Sequence, residues 1–239
     1  MKRCLLSLCL GLLLLPLPVY AQAYERGLAK MEQGDFRGAM SDFDQAIRLD
    51  PKNAGAYGNR GLVRAEVGDQ TGAMADFNTA IRLAPKEANA YYNRGLAYFG
   101  AKQFYDSIKD FDQVLRLRPK DSLAYYNRGN ARAQISDKRG AITDYTEAIR
   151  LDPKLIFAYN NRAAAHLTLG ENTAAVADFT RAIAINNNFI EAYFGRSRAL
   201  AASGNRQGAL DNLRTAARIA MAQGDKTNYH EALNRMKRL

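Results

Sequence analysis

The chain has 239 residues, of which 47% are hydrophobic and 24% charged, with a formal net charge of +10. That apolar content, without a long polar tract, excludes a disordered chain. Two cysteines (Cys4, Cys9) and two widely separated histidines (His166, His230) exclude a thiolate or Cys/His metal centre of the usual spacing.

The chain opens with Lys2 and Arg3, an apolar run from Cys4 to Leu17, and then small residues up to Ala23. This order predicts a secretory signal peptide over 1–23, cleaved after Ala21 or Ala23. The run is too short for a comfortable membrane span. Both cysteines fall inside it, so the mature chain has no thiol and suits an oxidising compartment. The expected location is therefore outside the cytoplasm: periplasmic, or otherwise secreted.

From there the sequence repeats. Pro51, Pro85, Pro119 and Pro153 stand one period apart, as do Tyr57, Tyr91, Tyr125, Tyr159 and Tyr193, and Arg60, Arg94, Arg128, Arg162 and Arg196. Numbering a unit from Ala54 puts Tyr57 at position 4, Gly61 at 8, Ala73 at 20, Phe77 at 24, Ala80 at 27 and Pro85 at 32. These residues at these offsets resemble the tetratricopeptide repeat family. The departure is position 7, where Arg replaces the usual Leu. Six units follow: 20–53, 54–87, 88–121, 122–155, 156–189 and 190–223.

The resemblance implies an all-α fold, a right-handed α-solenoid of six helix-turn-helix repeats. In each unit helix A spans positions 1 to 14 and helix B about 17 to 31. Asp35, Asp69 and Asp137 are placed to cap B helices, and the prolines stop them. Gly27, Gly61, Gly95 and Gly129 interrupt helix A, which is expected to reflect close approach of helix B through Ala39, Ala73 and Ala141. Phe43, Phe77, Phe111, Tyr145 and Phe179 read as core. In the sixth unit Met221 replaces the proline and Leu213 the ring. Residues 224–239 then read as a capping helix, with Tyr229, Leu233 and Met236 on one stripe.

No nucleophile, phosphate-loop or metal-ligand motif is present, so the sequence predicts no catalytic residue, no metal, no cofactor and no enzyme. His166 at position 11 reads as a packing residue. Arg at position 7 accompanies Asp at position 23 in Arg26/Asp42, Arg60/Asp76, Arg94/Asp110, Arg128/Asp144 and Arg162/Asp178, and Asn in Arg196/Asn212. Two readings stand: a basic stripe for an anionic partner, or structural ion pairs between helices. The aspartates favour the pairs.

By the resemblance, positions 2, 5, 6, 9, 12 and 13 of the A helices line a concave groove. The expected peptide-binding residues are Asn59, Asn93, Asn127 and Asn161 at position 6, with Tyr92, Tyr126 and Phe194 at position 5 and Phe99 at position 12. The lysines with which family members clamp a terminal carboxylate are missing there. The predicted function is a non-catalytic interaction scaffold for a peptide or protein, with no nucleic-acid partner. The alternative is an envelope protein held to an anionic surface, a weak membrane contact included, by its basic C-terminal end. From Ile190 onward nine bases face four acids.

Overall fold

The computed structural model describes residues 18–239. Most of the expected leader, both cysteines included, lies outside the described residues. Among the described residues there are thirteen α-helices and no strand, an all-α solenoid fold. The chain divides into two compact units, Met1–Leu83 and Ala84–Leu239.

In the first unit, α1 (Val19–Glu32) pairs with α2 (Phe36–Leu49) and α3 (Ala54–Glu66) with α4 (Gln70–Leu83), while α2 also packs on α3. In the second unit, α5 (Ala88–Gly100), α6 (Phe104–Leu117), α7 (Ser122–Gln134), α8 (Lys138–Leu151) and α9 (Ile156–Thr168) continue the pattern. The rest is α10 (Asn172–Ile185), α11 (Ile190–Ala202), α12 (Arg206–Ala222) and α13 (Lys226–Arg238). Each helix there packs on the next, and α5, α7, α9 and α11 also touch in succession.

The caps explain where the helices begin. Asp35, Asp69 and Asp137 accept from the amides of Gly38, Gly72 and Gly140 at 2.8–2.9 Å. Asn53, Asp121, Asn205 and Asp225 do the same for α3, α7, α12 and α13. Proline is not needed for the stop, since α10 ends at Ile185 after 14 residues with Asn187 at the proline position, but in the sixth repeat helix B runs on. With Met221 at that position, α12 reaches 17 residues against 14 for α4.

The helix-A glycines face a ring of the paired B helix. A Cβ at Gly27 would stand 2.6 Å from Phe43 Cε1, at Gly61 2.7 Å from Phe77 Cε1, and at Gly129 2.8 Å from Tyr145 Cε1. The position-24 ring, on the same B helix as Ala39, Ala73 or Ala141, lies against the glycine backbone and is the nearest group that a side chain there would meet. The fifth repeat carries Ala163 in place of glycine, in one buried cluster with Phe179, and a Cβ at Gly195, on α11, would overlap the ring of Phe179. That contact explains why Gly195 interrupts the position-6 asparagines.

Helix α13 covers α11 and α12. Ala232 is fully buried, and Tyr229, Met236 and Leu239 pack on a cluster that includes Tyr193, Phe194, Leu213 and Ala216. The buried stripe therefore runs through Ala232, and not through Leu233 as expected. Gly195→Ala should cost about 1–3 kcal/mol through overpacking. Adding Ala163→Gly, which reopens the usual seat for the ring, should recover at least about 0.5 kcal/mol of that in a double-mutant cycle read by denaturant unfolding.

Candidate functional site

Two layers of side chains run through each repeat, one inside the hairpin and one on the helix-A face. The inner layer is built on position 7. Arg60 donates from Nε (2.9 Å) and Nη2 (2.6 Å) to the two oxygens of Asp76 on the paired helix. Arg94 grips Asp110 in the same way at 2.8 and 2.7 Å, Arg128 grips Asp144 at 3.0 and 2.6 Å, and Arg162 grips Asp178 at 2.8 and 2.7 Å. Arg26 meets only one oxygen of Asp42, at 3.2 and 3.0 Å. A fork of this kind matches a carboxylate and fixes the approach of the two helices.

The third donor reaches back to the preceding repeat. Arg60 Nη1 lies 2.6 Å from Asp44 Oδ1 and Arg128 Nη1 2.6 Å from Asp112 Oδ1. Arg162 and Arg196 reach the hydroxyls of Thr146 (2.9 Å) and Thr180 (3.1 Å). Each guanidinium also rests near the position-4 ring of its own helix, 5.4 Å away for Arg60 over Tyr57 and for Arg128 over Tyr125. One side chain thus ties three elements together. The inter-repeat acceptor at position 25 was missed by the sequence reading, although an oxygen-bearing side chain stands there in each of the first five repeats, as Asp44, Asn78, Asp112, Thr146 and Thr180.

Three of the buried carboxylates take a second cation. Asp76 also takes Arg64 Nη1 at 2.9 Å, Asp144 takes Arg132 Nη1 at 2.9 Å, and Asp42 takes Lys30 Nζ at 2.7 Å. Burial opposes ionisation of Asp42, but Lys30 and Arg26 outweigh it and hold its carboxyl below the ordinary value. In the fifth repeat His166 stands at the position of those second cations, with Nε2 4.0 Å from Asp178 and Nδ1 2.5 Å from Glu171. Hydrogen bonding to Asp110 raises Arg94, whereas burial lowers Arg196, whose partner Asn212 carries no charge.

The outer layer joins successive A helices. Asn59 Nδ2 donates to Tyr24 Oη at 2.9 Å, Asn127 to Tyr92 Oη at 2.9 Å, and Asn161 to Tyr126 Oη at 3.3 Å. The sequence offers no tyrosine of that register to Asn93, because Gly58 holds position 5 in the second repeat. Tyr92 and Tyr126 pack edge-on or tilted against Phe111 and Tyr145, and Phe99 against Phe104. Phe194, expected as a groove contact, is 8% exposed and sits under Arg235 of α13.

Two residues of the fourth repeat were not anticipated. Asn130 occupies position 9, where the first three repeats have Leu28, Leu62 and Leu96, and Tyr145 supplies a hydroxyl where they have phenylalanine. The pair is connected. Tyr145 Oη donates to Asn130 Oδ1 at 2.9 Å, and Asn161 Nδ2 donates to the same oxygen at 2.9 Å. Burial pushes the Tyr145 hydroxyl up, so it keeps its proton and acts as donor. This network borders a pocket of about 390 Å³ walled by Phe99, Gln134, Lys138 and Thr168. Among the described residues no group of acidic, cysteine and histidine side chains could hold a metal, and no helix is long and apolar enough to cross a membrane.

The inner layer sets a stability contrast. Arg128→Ala leaves Asp144 buried with one cation instead of two and should cost about 3–5 kcal/mol. Arg196→Ala faces only a neutral amide and should cost about 0.5–1.5 kcal/mol. Denaturant unfolding of both variants measures the difference.

Residues 24–88, 88–121, 123–155 and 158–189 match the tetratricopeptide repeat. No curated protein matches the chain. Among solved structures, YrrB, described as a tetratricopeptide protein with an unusual peptide-binding site, aligns at 21% identity and a TM-score of 0.68, covering 80% of this chain and 97% of its own. PilW, described as a widely conserved type IV pilus biogenesis factor, aligns at 20% identity and 0.77, covering 90% and 98%. PilF of Pseudomonas aeruginosa aligns at 15% and 0.76, covering 91% and 97%. At such identities the likeness carries the fold alone. The repeat match spans well over half of the chain, and its hairpins carry the ring, glycine and proline positions of that pattern: the chain belongs to the tetratricopeptide repeat family.

Proposed function

We propose that the chain is a non-catalytic interaction scaffold that holds an extended peptide, or an extended segment of a partner protein, along its helix-A face. The observation that carries this reading is the network of Tyr145, Asn130 and Asn161 beside the 390 Å³ pocket. Two donors on Asn130 Oδ1 turn its Nδ2 away from the network, as a donor for a peptide carbonyl. Phe99 supplies apolar wall beside it. A few placed polar groups on an apolar surface are what a peptide backbone with side chains requires.

Within the second unit the other rungs fit the same ligand. Asn127 spends one amide hydrogen on a tyrosine, which leaves the second hydrogen and the carbonyl oxygen for a peptide unit, and in the first unit Asn59 is bonded in the same way. Asn93 offers the same groups. Helices about 8–10 Å apart and a ligand advancing about 3.3 Å per residue put a rung at about every third residue. The description of YrrB as a peptide binder supports the ligand class and nothing finer.

Export belongs to the same proposal. Ala23 is fully buried with Ala46 and Ala56, so processing after Ala21 keeps that cluster whole and processing after Ala23 opens it. The mature chain is then expected to begin at Gln22. The excess of bases after Ile190 supports the second reading, attachment to an anionic surface. Such binding collapses as salt rises, and groove binding does not.

The test replaces Asn130 by Leu and Tyr145 by Phe, the residue types that the first three repeats hold at those places. An array of overlapping envelope-protein decapeptides supplies the ligands. Unfolding should stay close to that of the unaltered chain, while affinity for captured peptides falls by about 0.5–1.5 kcal/mol per lost bond. Unchanged affinity in the folded double variant would contradict the proposal.

A further inference from the structure

The sixth repeat is built differently at its centre. Leu213 stands where the first five repeats place an aromatic ring, and Ser197 where the first four place glycine. Leucine does not fill the space of a ring. A second pocket, of about 240 Å³, lies here, with Phe194, Ala201, Leu213 and Leu239 as apolar wall. Ser197 Oγ donates to the Ala209 carbonyl at 3.0 Å, so its proton is already committed inside the hairpin.

Three guanidinium groups border this apolar space: Arg198 from α11, and Arg235 and Arg238 from α13. Arg235 is held, with Nε 2.7 Å from Glu231 Oε1 and its guanidinium 4.5 Å over the Phe194 ring. Arg198 and Arg238 are exposed and have no acidic partner within salt-bridge distance among the described residues. Cations gathered around an apolar cavity with one carboxylate among them leave a local excess of positive charge.

We propose that this pocket binds an apolar side chain with a carboxylate beside it, carried by a polypeptide partner. The cavity takes one aliphatic or aromatic side chain and is smaller than the clefts that enclose drug-sized ligands. A carboxylate matches the planar fork of Arg198 or Arg238, which supplies paired donors and never loses its charge. The carboxylate comes either from an adjacent Asp or Glu or from the end of the partner chain. The site does not rest on the network of the fourth repeat, with which it shares no residue.

The test uses the full chain and fluorescence anisotropy with three labelled hexapeptides. One is amidated and contains Leu-Glu, one is amidated and contains Leu-Gln, and one ends in Leu with a free carboxylate. One or both carboxylate peptides should bind at least about tenfold more tightly than the Leu-Gln peptide, and the tighter of the two identifies the source of the carboxylate. Leu213→Phe combined with Ser197→Gly, which restores both the ring and the glycine that seats it in the first four repeats, should abolish binding while the fold persists. Arg198→Gln with Arg238→Gln, both exposed and tolerant of change, should erase the preference while the fold persists. Equal binding of all three peptides, or a preference that survives the double arginine variant, overturns the proposal. If Asn130→Leu removes groove binding and leaves these peptides unaffected, the two sites are separate, and failure at one does not sink the other.

Discussion

At position 7, where the family pattern calls for leucine, this chain puts an arginine inside the hairpin. A charge there is costly unless it is met on every side, because desolvation of an ion costs several kcal/mol. The chain meets it with a carboxylate fork on helix B, a ring on helix A and an oxygen on the preceding repeat, as Arg128 shows with Asp144, Tyr125 and Asp112. Such an arrangement tolerates little sliding, since a shift of one helix breaks several bonds at once. The register of one hairpin on the next is thus written in directional contacts as well as in apolar packing.

Other features follow from that fixed register. The position-24 ring packs against the helix-A glycine, and in the fifth repeat, with Ala163 there, the Phe179 ring also lies against Gly195 of the next repeat. Three of the four outer asparagines meet a tyrosine one repeat away, at 2.9 Å for Asn59 and Asn127 and 3.3 Å for Asn161. A regular face of amides and aromatic rings is suited to a regular ligand, and a peptide backbone is one. Toward the C-terminus the inner layer loses charge, with Thr146, Thr180 and Asn212 in place of aspartates. The apolar pocket bordered by Arg198 and Arg238 lies in that same region.

The fold was legible because a period carries its own proof: Tyr57, Arg60 and Pro85 each recur at a fixed step, and helix ends, caps and core rings follow from one unit. Contacts within a unit were readable for the same reason, as Arg60 and Asp76 illustrate. Contacts across units were harder, since Asp44 and Arg60 belong to different copies and only the folded stack brings them together. Non-repeating details were the least legible. Asn130 looks like an odd residue at a leucine position until Tyr145, fifteen residues on, is seen to donate to it. Phe194 looks like groove until α13 is placed over it, and the face that α13 buries runs through Ala232 and not Leu233.

The account depends most on the claim that the arginine couples one repeat to the one before it. The direct measurement is a double-mutant cycle on Arg128→Gln and Asp112→Asn, read by denaturant unfolding, with Arg162→Gln and Thr146→Ala as the uncharged comparison. The account predicts a coupling of at least about 0.5 kcal/mol for the charged pair and a smaller one for the hydroxyl pair. A coupling below about 0.3 kcal/mol at Arg128 and Asp112 would contradict it, and would return the cohesion between repeats to apolar packing alone.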